Sequence, residues 1–202
     1  VPCFVRLTTR TSHSSSLVEL GDFNPAPHPL IPYKKNIAKT IPVPMFARGH
    51  RLNAQKRAEV MSKAASESAF NRIEKGDTSL GIVTSGVAYQ YVKEVFGNTA
   101  SVLKLGMVNP LPVRLIQDFA AKVEKLYVVE ELDPVFETEM RAAGIRVDGG
   151  KDLFGYLGEL SQNKIRKALG AKLPDFKGYD EVVPGRPPVM CPGCPHRGLY
   201  TV

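Results

Sequence analysis

From residue 79 onward, short apolar runs alternate with stretches whose apolar residues recur at helical spacing. "SLGIVTSG" (79–86) predicts a strand that ends in small residues, and "VAYQYVKEVFG" (87–97) an amphipathic helix with a glycine stop. "ASVLKLG" (100–106) predicts a second strand, and "PLPVRLIQDFAAKVE" (110–124) a helix with Pro112 near its start. A strand at 125–132, a helix at 134–144 and a last strand at 145–149 continue the alternation. Strands and helices in turn, joined by short connections, specify a parallel sheet with right-handed crossovers. The expected fold class is α/β: four parallel strands in a small, mostly parallel sheet with helices on both faces.

The flanks read differently. "CFVRLTT" (3–9) predicts a buried strand running into the polar cluster "TTRTSHSSS". Six of the sixteen prolines fall between Pro25 and Pro44, which predicts an extended connector over 21–50 that lies on a surface. Residues 51–74 predict a long helix, with Asn53 as its cap, an apolar stripe from Leu52 to Ile73, and Gly76 beyond its end. Residues 151–161 predict a loop, "QNKIRKALGA" a helix, and 173–190 a second proline-rich connector. The expected organisation is therefore a domain end at 1–20, a linker at 21–50, an α/β domain with its helix at 51–172, a linker at 173–190 and a domain start at 191–202. The chain opens directly on the first strand pattern without Met, so both ends are expected to be cut from something longer.

Composition narrows the function. The 202 residues are 43% hydrophobic and 23% charged, ordinary for a soluble globular protein. No run of about 18 apolar residues suggests a membrane span, and the first residues do not read as a signal peptide. Three cysteines are an odd count and argue for a reducing, cytoplasmic setting rather than a disulfide framework. The net charge of +7 is uneven: residues 76–150 carry 7 Lys/Arg against 10 Asp/Glu, and the excess sits in the flanks and the helix at 51–74. No aromatic-and-basic motif or basic recognition helix accompanies it, so solvated faces or contact with an acidic domain account for the charge better than nucleic acid.

Four stretches could carry chemistry. "GIVTSG" could cradle phosphate but lacks a G-x-G-x-x-G or G-x-x-x-x-G-K-[ST] pattern, so a tight strand-to-helix turn is the favoured reading. "VVEELD" places Glu130, Glu131 and Asp133 at a strand end; helix N-terminal charges are favoured over an acid–base or metal pair. "LTTRTSH" gathers Thr8, Thr9, Arg10, Ser12 and His13, a set suited to a carboxylate or phosphate, or to a solvated loop. "RPPVMCPGCPHRGLY" is the most specific. Cys191, Cys194 and His196 crowd one turn, and a single C-x-x-C is at most half of a four-ligand site. With Pro195 as a first helical residue, the turn would aim N–H groups at a thiolate, a diphosphate or an anionic cluster.

That stretch resembles the opening of the thiamine-diphosphate domain in the alpha subunits of indolepyruvate ferredoxin oxidoreductases. "SLGIVTSGVAYQYVKE", "SVLKLGMVNPLPVRLIQDFA" and "VEKLYVVEELDPVFETEMRAAGI" are similar to the family's central domain, akin to the transketolase C-terminal domain, and "VRLTTRTSHSSSLVEL" to the end of its pyrimidine-binding domain. The resemblance implies oxidative decarboxylation of aryl pyruvates to acyl-CoA with reduction of ferredoxin, using thiamine diphosphate, Mg2+ and 4Fe-4S clusters, beside a beta subunit. It implies cofactor-binding roles for Cys191, Gly193, Cys194, Pro195 and Arg197. It gives metal-ligand roles to Cys191 and Cys194, substrate-binding roles to Thr8, Thr9, Arg10, Ser12 and His13, and catalytic roles to His196 and Arg10. The chain departs from the family pattern in lacking most of the pyrimidine-binding domain, the Gly-Asp-Gly-type diphosphate segment and the ferredoxin-like cysteine repeats, so the chain alone is expected to be inactive. The alternative is a non-enzymatic basic α/β module with a C-terminal metal knuckle that binds nucleic acid or a protein partner.

Overall fold

The computed structural model describes residues 3–21, 29–175 and 190–200; the side chain of Arg10, residues 22–28 of the first proline-rich connector and most of the second lie outside them. The chain divides into two compact units, Val1–Lys172 and Leu173–Val202.

In the first unit the elements run α1 (Thr9–His13), α2 (Ile37–Thr40), α3 (Pro44–Glu67), β1 (Arg72–Glu74), β2 (Leu80–Ser85), α4 (Gly86–Phe96), β3 (Ser101–Leu105), α5 (Val113–Ala120), β4 (Lys125–Val129), α6 (Val135–Ala142), α7 (Lys151–Phe154) and α8 (Gln162–Ala168). The second unit carries α9 (His196–Tyr200). The sheet order is β1-β3-β2-β4. β2 pairs in parallel with β3 on one side and β4 on the other, from Gly81 opposite Ser101 and Leu80 opposite Lys125. β2 and β3 are buried almost along their whole length rather than alternately, as a parallel sheet covered on both faces requires. On one face Val83, Leu103, Leu126 and Val128 pack with Ile116 and Phe119 of α5 and Phe136 and Met140 of α6. On the other, Ile82, Val102 and Val129 pack with Ala88 and Val92 of α4, Phe154 of α7 and Ile165 of α8.

The α/β fold with helices on both faces is as expected. The connector expected to be extended over 21–50 instead carries α2 at Ile37–Thr40, capped by Asn36, whose side chain accepts from the Lys39 N–H at 3.1 Å, and there are five further differences. The segment 3–9 is not a strand: no strand among the described residues pairs with it, and Phe4, Val5 and Leu7 are exposed. The long helix covers 44–67 rather than 51–74, because Pro44 sits in its first turn behind the extended cap Val43, so Asn53 is interior. Residues 72–74 form β1 instead of a last helical turn, since pairing antiparallel with 102–104 of β3 wins over helical periodicity. The clasp that ends the helix is Asn71, which is buried. Its amide donates to the carbonyls of Ala65 (2.7 Å) and Met107 (3.3 Å), and its Oδ1 accepts from the backbone N–H of Gly106 and Met107, both at 2.8 Å. Finally, 145–149 makes one bridge, Gly149 to Tyr127, rather than a fourth parallel strand. There the Asp148 carboxylate, not a strand carbonyl, takes the N–H of Leu126 at 2.7 Å. The fifth difference is small: 151–154 forms α7 within the expected loop.

Gly81 shows how tightly the centre is filled. A β-carbon there would sit 2.6 Å from a methyl of Val123, itself a core residue. Gly81→Ala is expected to cost about 1–3 kcal/mol by overpacking. In a Val123→Gly background, which removes the Val123 β-carbon at 2.8 Å along with the methyls, the same change is expected to cost much less. Urea unfolding of the four proteins measures this coupling; equal costs in both backgrounds would rule out the contact as the cause.

Candidate functional site

In an open α/β sheet, ligands sit beyond the C-terminal ends of the strands. At the end of β4 the chain turns into α6, and Glu130 fills that turn. It is 6% exposed, and its two carboxylate oxygens accept from the backbone N–H groups of Phe136 (2.9 Å) and Glu137 (3.0 Å). These are first-turn donors of α6 that have no partner within the helix. The positive end of α6 is thus occupied by the chain's own carboxylate, as the strand-end acids predict. Lys151, also 6% exposed, donates from Nζ to the Glu130 carbonyl at 2.6 Å. Its backbone N–H donates to Glu137 Oε2 at 2.9 Å, and Glu137 also pairs with Arg141 at 3.0 Å. Burial raises the Glu130 carboxyl above its ordinary value of 4.5, against the Glu137 and Phe136 N–H groups and the Lys151 ammonium, which lower it. Burial lowers the Lys151 ammonium, against the pull of Glu130, Glu131, Asp133 and Glu137. Sequence reasoning missed Lys151; a lysine behind two glycines carries no pattern that marks it as buried.

Above this pair lies a groove of about 580 Å³, lined among others by Thr8, Thr9, Glu131, Lys151, Tyr156 and Lys164. The fold therefore brings part of the Thr/Arg stretch to the sheet's C-terminal edge. The hydroxyls, however, mostly cap their own helix. Thr8 Oγ1 accepts from the Thr11 N–H at 3.4 Å and lies 3.0 Å from Thr11 Oγ1, while Ser12 Oγ donates to the Thr8 carbonyl at 3.1 Å. His13 is exposed, and the Arg10 side chain lies outside the described structure. At the "GIVTSG" turn Gly86 takes φ +54° and opens α4 directly, the tight connection favoured above.

The cysteine turn belongs to the second unit. The Cys194 N–H donates to the Cys191 carbonyl at 3.0 Å, Gly193 takes φ +77°, and the Arg197 N–H donates to the Cys194 carbonyl at 3.1 Å. Pro195 leads into α9, and Cys194 Sγ lies 3.4 Å from His196 Nδ1. Cys191 is exposed and Cys194 half-buried. Two thiols are half of what a 4Fe-4S cluster takes. Among the described residues no group of three or more His, Cys, Asp or Glu side chains converges on a metal position. This donor set does not by itself fit a cluster. Among the described residues, no helix is long and apolar enough to cross a membrane.

No family model matches the chain. Individual proteins do. Indolepyruvate oxidoreductase subunit IorA of Archaeoglobus fulgidus is 34% identical over 99% of the chain, and that of Methanothermobacter marburgensis 35% identical over 99%. IorA of Pyrococcus abyssi is 33% identical over 97%. The chain is an IorA relative. It spans about a third of the length of these proteins, 34–35% in each case. The resemblance read from the sequence is thereby borne out along nearly the whole chain. A solved 2-oxoglutarate:ferredoxin oxidoreductase from Magnetococcus marinus matches the IorA relative at 18% identity with a TM-score of 0.44, over 63% of this chain and 24% of that one, too loosely to add to the fold.

The Glu130 clasp generates two expectations. Glu130→Ala strands two backbone donors and is expected to cost about 2 kcal/mol of stability. Glu130→Gln removes the titration. Because the folded carboxyl binds its proton more tightly than the unfolded one, the wild type is expected to lose stability relative to Glu130→Gln as pH rises from about 4.5 through the folded value. Urea melts between pH 4 and 7 read this out; parallel pH curves would show that the carboxyl's pKa is not raised by folding.

Proposed function

We propose that the chain is the central part of an indolepyruvate oxidoreductase alpha subunit. In this reading the whole enzyme decarboxylates an aryl pyruvate oxidatively, passes electrons to ferredoxin and transfers the acyl group to coenzyme A. Thiamine diphosphate with Mg2+ supplies the carbanion chemistry, and 4Fe-4S clusters carry the electrons. The enzyme works in the cytoplasm beside a beta subunit. The observation that carries the reading is the unbroken similarity, over 97–99% of the chain, to proteins named indolepyruvate oxidoreductase subunit IorA.

Within it, the cysteine turn is the approach to the thiamine diphosphate. Cys191, Gly193, Cys194, Pro195 and Arg197 shape it, with His196 beside the Cys194 thiol. Cys191 and Cys194 would share a cluster only if further thiolates join them. Thr8, Thr9, Arg10, Ser12 and His13 face the substrate side. The relatives' names do not favour the alternative of a basic module for nucleic acid or metal.

The test is a dye-coupled assay. The two-subunit enzyme containing this chain, supplied with thiamine diphosphate, Mg2+, indolepyruvate, coenzyme A and methyl viologen, is expected to reduce the dye. The chain alone, given the same mixture, is expected not to. Absence of turnover by the assembled enzyme with every aryl pyruvate tried, or turnover by the chain alone, would overturn the reading.

A further inference from the structure

The cysteine turn carries two thiols that the turn itself does not require. Cys191, Pro192, Gly193 and Cys194 form a β-turn. The Cys194 N–H donates to the Cys191 carbonyl at 3.0 Å, and Gly193 takes φ +77° behind the fixed φ of Pro192. Proline and glycine at the two central positions suffice to make such a turn. The cysteines stand at its first and fourth positions. Structural cysteines are ordinarily buried and inert, but here Cys191 is exposed, Cys194 is half-buried, and both are free thiols. Among the described residues no third donor joins them at a metal position.

The same turn brings the two sulfurs within reach of each other. The first and fourth Cα atoms of a β-turn lie less than about 7 Å apart, and a disulfide bridges Cα atoms about 4.4–6.8 Å apart. Cys194 Sγ also has a proton acceptor at hand, 3.4 Å away at His196 Nδ1. We propose that Cys191 and Cys194 are a redox pair, a dithiol that small-molecule disulfides oxidise and small-molecule thiols reduce. In the first step the exposed Cys191 sulfur attacks one sulfur of an external disulfide, RSSR. The S–S bond breaks, a mixed disulfide forms on Cys191, and the departing thiolate takes up the proton that Cys191 gave up. In the second step Cys194 Sγ passes its proton to His196 Nδ1 and attacks Cys191 Sγ. The mixed disulfide breaks, the Cys191–Cys194 bond forms, and the second thiolate leaves with that proton. The protein loses two hydrogens and RSSR becomes two RSH. Exposure sets the order: an incoming disulfide reaches Cys191 first, and the half-buried Cys194 closes the ring. The turn thereby has two covalent states, set by the thiol–disulfide balance around the protein. This does not rest on the reaction proposed above.

Peptide mapping by mass spectrometry, on the two-subunit enzyme containing this chain, tests the pair independently of turnover. Prepared without air and freed of reductant, the native enzyme is expected to take an alkylating agent on both Cys191 and Cys194. After treatment with oxidised glutathione, the peptide that carries both is expected to be lighter by two hydrogens and to resist alkylation. Dithiothreitol should restore both thiols. Cys194→Ser is expected to stop at the first step and hold one glutathione on Cys191. A glutathione on each cysteine with no cross-link between them would overturn the proposal, as would a Cys194→Ser enzyme with no adduct on Cys191. So would a reduced enzyme in which either thiol resists alkylation, whether because iron holds it as a cluster ligand, in which case removing the iron frees it, or because the rest of the subunit covers it.

Discussion

A buried carboxylate ties the ends of three elements together. Glu130 takes the free N–H groups at the start of α6, while its own carbonyl receives the ammonium of Lys151 at the start of α7. Two groups that would each be costly to bury alone are held by partners that offset part of that cost. The consequence is geometric. The turn after β4 cannot open without stranding both the backbone donors and the lysine, so the C-terminal edge of the sheet is fixed where the groove lies above it.

Behind that edge, β2 is the strand with a parallel neighbour on each side. Its side chains alternate between two separate cores, Ile82 into one and Val83 into the other. Both cores must be filled for the strand to pay its backbone entropy. The Asn71 clasp then joins the end of α3 to the end of β3 and converts what would be a helix tail into the antiparallel edge strand β1. A short edge strand of three residues leaves little open ladder for another chain to pair with.

The two candidate stretches stand differently in relation to this frame. Thr8 and Thr9 line the groove beside Lys151 and Glu131, in the position where α/β sheets receive ligands. The cysteine turn closes on itself through the Cys194 N–H and the Cys191 carbonyl and places a thiol beside an imidazole. Among the described residues neither stretch amounts to a catalytic constellation, and the chain spans a third of the proteins it resembles.

The alternation of apolar runs and helical periods was enough to place β2, α4, β3, α5, β4 and α6 in order, because each of those segments buries its own pattern against a neighbour next in sequence. The motif residues Cys191, Cys194 and His196, and the strand-end acids, were legible for the same reason: their spacing is local. What the sequence left open depends on contacts between distant segments. Residues 72–74 have a helical continuation available and become a strand only because β3 offers a ladder at 102–104. Residues 145–149 read as a strand, yet the Asp148 side chain takes the bond a fourth strand would have made. The apolar pattern of 3–9 predicts burial, but nothing among the described residues pairs with it. Lys151 becomes a buried partner of the β4 turn because the chain returns there after twenty residues, and only the packed structure decides that.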